Sequence, residues 1–187
     1  NKLMEIKLAK SAGFCMGVDL ALRAIMNPGD KVLIPVPSYV SYGPVTELAG
    51  GTPVFIDTRK DNFRLTPQAL DKAVDKNTKA LLFNYPANPT GVSYTRAELE
   101  AIKKVAFKHK LLCITDEVYG ALTYDFDHTP FATLNGAKEK TLYLDGFSKS
   151  YAMTGWRIGF ACGPKEVIAA MTKIHQYTIM CVSITSQ

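Results

Sequence analysis

The sequence has no apolar run long enough to span a membrane, and its N-terminus lacks the uninterrupted apolar core of a signal peptide. Lysine and glutamate interrupt the apolar residues over positions 2–7. We therefore expect a cytoplasmic protein that does not act at a membrane.

Cysteine is scarce and widely spaced, with four residues and no C-x-x-C pair. This spacing predicts no metal site. Cys113 and Cys162 lie within apolar runs that are typical of buried strands. Buried thiols in a reducing compartment are therefore the interpretation we prefer.

Concentrated positive charge is also missing, although 22 Lys and Arg outnumber 17 Asp and Glu. The cations are scattered along segments such as IKKVAFKHK (102–110), which favours a solvated helix face over a nucleic-acid site. The sequence contains no repeat, low-complexity tract or linker, so nothing marks an internal domain boundary. A chain of 187 residues that is 47% hydrophobic fits one domain or a large part of one.

Short apolar, β-rich runs alternate with helical patterns along the chain. Six strands are predicted, at residues 31–36, 52–57, 79–85, 111–115, 141–147 and 157–162. Their continuous apolar character indicates that helices cover both faces of the sheet. The predicted fold class is α/β, with three layers in which helices flank a mainly parallel sheet.

Three helices have readable N-termini. Thr66 precedes a first-turn proline, and Thr95 with Glu98 forms an S/T-x-x-E capping box. Gly163-Pro164 opens an amphipathic segment that continues to about Met180.

Polar residues follow four of the predicted strands, and in an open parallel sheet ligands bind beyond the carboxyl ends of the strands. The four segments are PSY (37–39), NYPANPTG (84–91), DEVYG (116–120) and FSKS (147–150). Each residue has an ordinary alternative explanation: Tyr39 as packing, Asn88 as a turn former, Asp116 as a helix N-cap and Lys149 as a solvated loop residue. Their coincidence at one sheet edge favours a site.

These groups together suit a phosphorylated pyridine that carries an aldehyde. Lys149 could form a Schiff base if its ammonium were disfavoured by desolvation among small, apolar neighbours or by the nearby Arg157. Arg157 could bind phosphate oxygens bidentately. Asp116 would pair with a protonated pyridine nitrogen, which keeps the ring able to accept electrons.

The motifs PSY, NYPANPTG, DEVYG and FSKSYAMTGWRIG, in this order, resemble the fold-type I pyridoxal-phosphate enzymes. The similarity is greatest to the class I/II aminotransferases of bacterial aspartate or aromatic type, and it covers about residues 19–187. It implies the large, cofactor-binding domain of that fold, without the family's N-terminal arm or its C-terminal small domain. It also implies amino acid and 2-oxo acid substrates and, for the full-length family, a homodimer.

The resemblance assigns roles to seven residues. Lys149 would carry the Schiff base with pyridoxal 5'-phosphate and move the substrate proton, and Asp116 would bind the pyridine nitrogen. The remaining assignments are Asn88 and Tyr119 on the phenolic oxygen, Tyr39 on the ring face, and Arg157 with Ser148 on the phosphate. Pro37 and Pro89 match positions where the family often has cis-prolines.

The implied reaction moves an amino group from an amino acid to a 2-oxo acid. Two alternatives stay open, because cofactor motifs alone do not determine the reaction type. One is a pyridoxal-phosphate lyase or decarboxylase on the same scaffold. The other is a truncated domain without catalytic activity that binds the cofactor weakly or not at all.

The first 18 residues depart from the aminotransferase pattern. Family members carry a glycine-led phosphate-binding turn before the helix that matches DLALRAIM, and here Gly17-Val18 is the expected remnant, with the helix beginning at Asp19. Residues 1–18 are also similar to the opening of hydroxymethylbutenyl diphosphate reductase, in which the position of Cys15 binds an iron–sulfur cluster. The other cysteines follow the aminotransferase context, so no cluster is predicted. We treat residues 1–18 as an atypical N-terminal segment and residues 19–187 as the cofactor-binding domain.

Overall fold

The computed structural model describes residues 6–7 and 14–186. Its sheet has seven strands in the order β1-β7-β6-β5-β4-β2-β3. The strands are β1 (Ile6–Lys7), β2 (Lys31–Val36), β3 (Thr52–Asp57), β4 (Thr78–Asn84), β5 (Leu112–Asp116), β6 (Thr141–Gly146) and β7 (Gly159–Cys162). Strands β2 to β6 pair in parallel, whereas β7 is antiparallel to β6 and to β1. All six predicted strands and the mainly parallel sheet are confirmed, and β1 was not predicted.

The helices of the described residues are α1 (Phe14–Ile25), α2 (Tyr42–Leu48), α3 (Pro67–Ala73), α4 (Arg96–Lys108), α5 (Phe147–Ser150) and α6 (Lys165–Thr178). The N-termini predicted at Thr66, at Thr95 and at Gly163-Pro164 are confirmed. The Thr66 side chain accepts a hydrogen bond from the Ala69 amide, and Thr95 with Glu98 forms both bonds of a capping box. No helix in this part of the chain is long and apolar enough to cross a membrane.

Two hydrophobic cores lie on opposite faces of the sheet, which confirms the three layers. Leu81 and Phe83 of β4 pack in the core that contains residues of α3 and α4. Ala80 and Leu82 of the same strand pack in the core that contains residues of α1 and α6. Because successive strand side chains point to opposite faces, covering both faces requires the continuous apolar runs seen in the sequence.

The predicted start of the first helix is wrong. Helix α1 begins at Phe14, so Gly17 and Val18 lie inside it and Asp19 forms an ion pair with Arg23 one turn later. The buried residues Val18, Ala21 and Leu22 have helical spacing, and this periodicity extends the helix upstream of Asp19. Residues 8–13 and the side chain of Cys15 lie outside the described residues, as does most of the segment 1–18.

The capping box of α4 gives a stability prediction. Thr95→Ala removes the oxygen that accepts from the Glu98 amide, 3.4 Å away, and that also contacts the Glu98 carboxylate at 2.7 Å. We expect the free energy of unfolding in urea to fall by about 1 kcal/mol. Thr95→Ser keeps the oxygen, so its free energy of unfolding should fall much less. An equal loss in both variants would show that the cap does not stabilise the helix.

Candidate active site

One cavity of about 180 Å³ lies at the carboxyl ends of β4, β5 and β6. Its lining contains all seven residues that were predicted from the sequence and three that were not. The lining residues are Tyr39, Tyr42, Asn84, Asn88, Asp116, Tyr119, Ser148, Lys149, Thr154 and Arg157. The structure therefore brings the predicted residues together, while their individual roles stay predictions.

Asn84 connects two of the segments that form the cavity. It is the last residue of β4 and lies opposite Asp116 in the register of β4 with β5. Its side-chain amide donates to the Asp116 carbonyl at 2.9 Å, and its Oδ1 accepts from the Asn88 amide at 2.7 Å. Asn84 thus holds the turn that presents Asn88 against the end of β5.

Three peptide bonds near the cavity are cis. Those before Pro37 and Pro89 confirm the prediction from the sequence, and the bond before Pro86 was not predicted. These bonds lie in the segments that follow β2 and β4 and that carry Tyr39 and Asn88.

Asp116 is fully buried at the end of β5. The Tyr42 hydroxyl donates to its Oδ2, and the Val118 amide contacts its Oδ1 at 3.4 Å. Burial raises the pKa of Asp116 to about 8, and the Tyr42 hydrogen bond opposes this rise without cancelling it. A cation placed against Asp116 in the cavity would favour the ionised carboxylate.

Tyr39 and Tyr42 form an aromatic pair on one wall of the cavity. Their ring centroids are 5.7 Å apart and the rings meet edge to face. Tyr42 begins α2 and is 2% exposed, whereas Tyr39 is half-buried. The buried ring of Tyr42 therefore supports Tyr39, whose side chain lines the cavity.

Lys149 and Arg157 both lie on the connection between β6 and β7. The two strands meet at the pair Gly146 and Gly159, where a Cβ atom would lie about 3 Å from a backbone oxygen of the other strand. This close approach explains the two glycines.

The ammonium of Lys149 lies 5.7 Å from the ring centroid of Tyr119. Lys149 is exposed, whereas its neighbour Ser148 is 7% exposed. The expected desolvation of Lys149 by small apolar neighbours is therefore wrong, because its side chain is exposed where it lines the cavity. The ring face of Tyr119 attracts the ammonium of Lys149.

Arg157 is exposed and adopts a left-handed backbone conformation, with φ of 55°. Its guanidinium donates to the Thr154 carbonyl at 2.8 Å, and this bond leaves further N–H donors for an anion. This conformation ends the 3-10 turn Thr154–Trp156, which directly precedes Arg157.

Sequence reasoning missed Tyr42, Asn84 and Thr154. Asn84 had a usable signal, since it ends a strand within the quoted motif NYPANPTG. Tyr42 had only its spacing of three residues from Tyr39, and no sequence signal marked Thr154.

The buried Asp116 gives a prediction on pH dependence without any ligand. Since its pKa rises on folding from 3.8 to about 8, the folded chain binds more protons than the unfolded chain between these pH values, and stability falls as pH rises through this window. Asp116→Asn removes this term while keeping an acceptor for Tyr42. We expect the variant to gain stability relative to the parent by more than about 1 kcal/mol from pH 5 to pH 8, measured by urea unfolding. If the free energies of unfolding of the parent and of Asp116→Asn changed in parallel with pH, the raised pKa of Asp116 would be contradicted.

The chain matches the family model "Aminotransferase class I and II" over residues 4–187. This match includes most of the segment 1–18. A Bacillus subtilis protein named putative aminotransferase YugH is 45% identical, and an aspartate aminotransferase of Pyrococcus abyssi is 43% identical. Both alignments cover 97% of this chain, and they cover 47% and 46% of those proteins. The chain thus spans about half the length of the curated relatives it matches.

Solved structures give the same result. The aromatic aminotransferase from Pyrococcus horikoshii OT3 superposes with a TM-score of 0.91 at 41% identity, covering 96% of this chain and 48% of that one. The aspartate aminotransferase from Thermus thermophilus with maleate gives 0.90 at 37% identity, covering 95% and 46%. The family predicted from the strand-end motifs is confirmed, and the chain belongs to the class I and II aminotransferases.

Proposed function

We propose that this chain binds pyridoxal phosphate and that the protein to which it belongs moves an amino group from an amino acid to a 2-oxo acid. The observation that carries this proposal is the fully buried carboxyl of Asp116 in a cavity that Lys149 also lines. A buried carboxylate needs a cation, and a protonated pyridine is one. Membership of the aminotransferase family supports the same chemistry.

The described residues fit the cofactor at each of its functional groups. Bound pyridoxal phosphate supplies an aldehyde that condenses with amines and a ring that accepts an electron pair. Asp116 would hold the pyridine N–H, and Arg157 with the hydroxyl of Ser148 would bind the phosphate. Asn88 and Tyr119 would donate to the phenolic oxygen, and Tyr39 would cover the ring face.

Lys149 provides the reactive amine. It would bind the aldehyde carbon through Nζ and, once the substrate amine has replaced it there, would accept the proton from the substrate α-carbon. The lysine lies on the short helix α5, and its exposed side chain places the ammonium beside the ring of Tyr119.

The wider biological setting is part of the proposal. Family resemblance supports a homodimer, and the free thiols among the described cysteines, Cys113, Cys162 and Cys181, support a cytoplasmic location. Amino transfer is preferred over elimination or decarboxylation because the relatives quoted above are named as aminotransferases.

A spectroscopic experiment tests cofactor attachment. Pyridoxal phosphate added to the chain should give the visible absorbance of a lysine-bound cofactor, and borohydride reduction with peptide mapping should locate it on Lys149. Lys149→Ala should lose both signals. Lys165→Ala, which removes an exposed lysine of α6, is the control and should keep them. Attachment at another lysine would overturn the assignment of Lys149.

A reaction assay tests amino transfer. The full-length protein and the 187-residue chain should be given amino acids with 2-oxoglutarate, and glutamate should be measured alongside pyruvate, ammonia and carbon dioxide. We expect glutamate from the full-length protein. Release of ammonia or carbon dioxide without glutamate would favour a lyase or a decarboxylase.

The Tyr42 hydroxyl should affect cofactor affinity through Asp116. Tyr42→Phe keeps the ring against Tyr39 but removes the donor, so the pKa of Asp116 should rise further and binding of a cationic ring should weaken. We expect the dissociation constant of pyridoxal phosphate at pH 7 to increase about tenfold, as for loss of one hydrogen bond to a charged group. In an Asp116→Asn background the same change should have little effect. An equal effect in both backgrounds would assign it to packing.

A further inference from the structure

A second carboxylate is buried beside the cavity without lining it. Glu117 follows Asp116 directly and is also fully buried. Its Oε2 accepts from the Nε2–H of His128 at 2.6 Å, and its Oε1 accepts from the Phe131 amide at 3.2 Å. A buried carboxylate is expensive unless it is paired in this way. The contacts of Glu117 are thus directed to the segment 128–131, whereas those of Asp116 are directed to the cavity.

The backbone of Glu117 joins the turn that presents Tyr119 to the sheet. Its amide donates to the Leu144 carbonyl of β6 at 2.9 Å. Its carbonyl accepts from the Gly120 amide at 2.7 Å, which closes the turn around Tyr119. A displacement of Glu117 would therefore move Tyr119 as well.

The imidazole of His128 is held against the same turn. A Cβ atom at Gly120 would lie 3.0 Å from two ring atoms of His128, so the ring is in contact with this backbone. The other neighbour of the ring is Tyr85, with centroids 5.2 Å apart, and Tyr85 in turn donates to the Thr129 carbonyl at 3.1 Å. Because a carboxylate only accepts, Nε2 carries the hydrogen in this pair.

His128 depends on Glu117 for its orientation. Nδ1 of His128 is buried and has no hydrogen-bond partner among the described residues. The bond from Nε2 to Glu117 is therefore the hydrogen bond that orients the ring. Loss of Glu117 would remove the hydrogen bond that holds the His128 ring against the backbone of Gly120, and loss of His128 would remove the ring itself.

We propose that Glu117 and His128 are a positioning pair, which holds the 116–120 turn so that the Tyr119 hydroxyl reaches the phenolic oxygen of the cofactor. Neither residue touches the cofactor. The inference rests on the proposed function, since it concerns the same site. The competing explanation is that the pair only stabilises the fold.

The test measures the pH midpoint of the visible absorbance of the lysine-bound cofactor. Tyr119→Phe removes a donor that stabilises the anionic phenolic oxygen, so the midpoint should rise by roughly half to one pH unit. His128→Phe keeps an aromatic ring beside Tyr85 but removes the donor to Glu117, and we expect a rise in the same direction. His128→Gln restores an N–H donor and should bring the midpoint back towards that of the parent.

A double variant of His128 and Tyr119 distinguishes a positioning role of His128 from a role in stability alone. If His128 acts through Tyr119, the double variant of His128→Phe with Tyr119→Phe should shift the midpoint no further than Tyr119→Phe alone. Leu99→Ala, at a buried position of α4, is the control and should lower the melting temperature without moving the midpoint. A His128→Phe protein that melts earlier but keeps the parental midpoint would overturn the proposal, and so would additive shifts.

A measurement without cofactor provides a second readout. Hydrogen exchange of the Gly120 amide should accelerate in His128→Phe and not in Leu99→Ala. If His128→Phe does not fold, Glu117→Met keeps a similar side-chain length without either acceptor oxygen and should show the same faster exchange and raised midpoint. No visible band in the parent would overturn the proposed function itself, whereas a parental band with unshifted variants would overturn only the positioning role.

Discussion

The in-register parallel pairing of β4, β5 and β6 is the constraint on which the site depends. It places Asn84 and Asp116, the last residues of β4 and β5, side by side, with Leu144 of β6 next to Asp116. Because successive side chains point to opposite faces, a slip of one residue would exchange Asp116 with Glu117. The cavity would then lose the carboxyl that faces Tyr42, and the apolar residues of β5 would also change faces.

The neighbouring carboxyl groups of Asp116 and Glu117 are buried under different conditions. Glu117 meets an imidazole and a backbone amide, so its charge is compensated within the protein. Asp116 meets a neutral phenol and the cavity, and its raised pKa reflects this weaker compensation. Burial therefore leaves Asp116 able to gain from an external cation, whereas the side chain of Glu117 is already paired with His128 and Phe131.

Local patterns in the sequence were sufficient for most of the fold. Apolar runs located the strands, and the caps at Thr66 and Thr95 located two helix starts, because these signals depend on neighbours a few residues apart. The start of α1 was placed five residues late because family spacing was preferred over the helical periodicity that reaches Phe14. The two-residue strand β1 is too short to give a pattern.

The residues of the site were predictable because each follows a strand, and the rule for parallel sheets brings strand ends together. The residues that contact them could not be predicted in this way. The contact of Tyr42 with Asp116 joins residues 74 positions apart, and no pattern near Tyr42 in the sequence predicts it. The exposure of Lys149 could not be predicted either, since small neighbours in the sequence do not reveal how α5 is oriented against the sheet.

The two cationic residues of the site lie on one short connection of the chain. Lys149 and Arg157 lie within residues 147–158, whose ends are joined by the antiparallel pair Gly146 and Gly159. Closing so short a loop costs little chain entropy, whereas uniting Tyr42 with Asp116 requires much of the sheet to form. The placement of the two cationic residues therefore depends on a contact that is local in the sequence, whereas the contact of Tyr42 with Asp116 joins residues 74 positions apart.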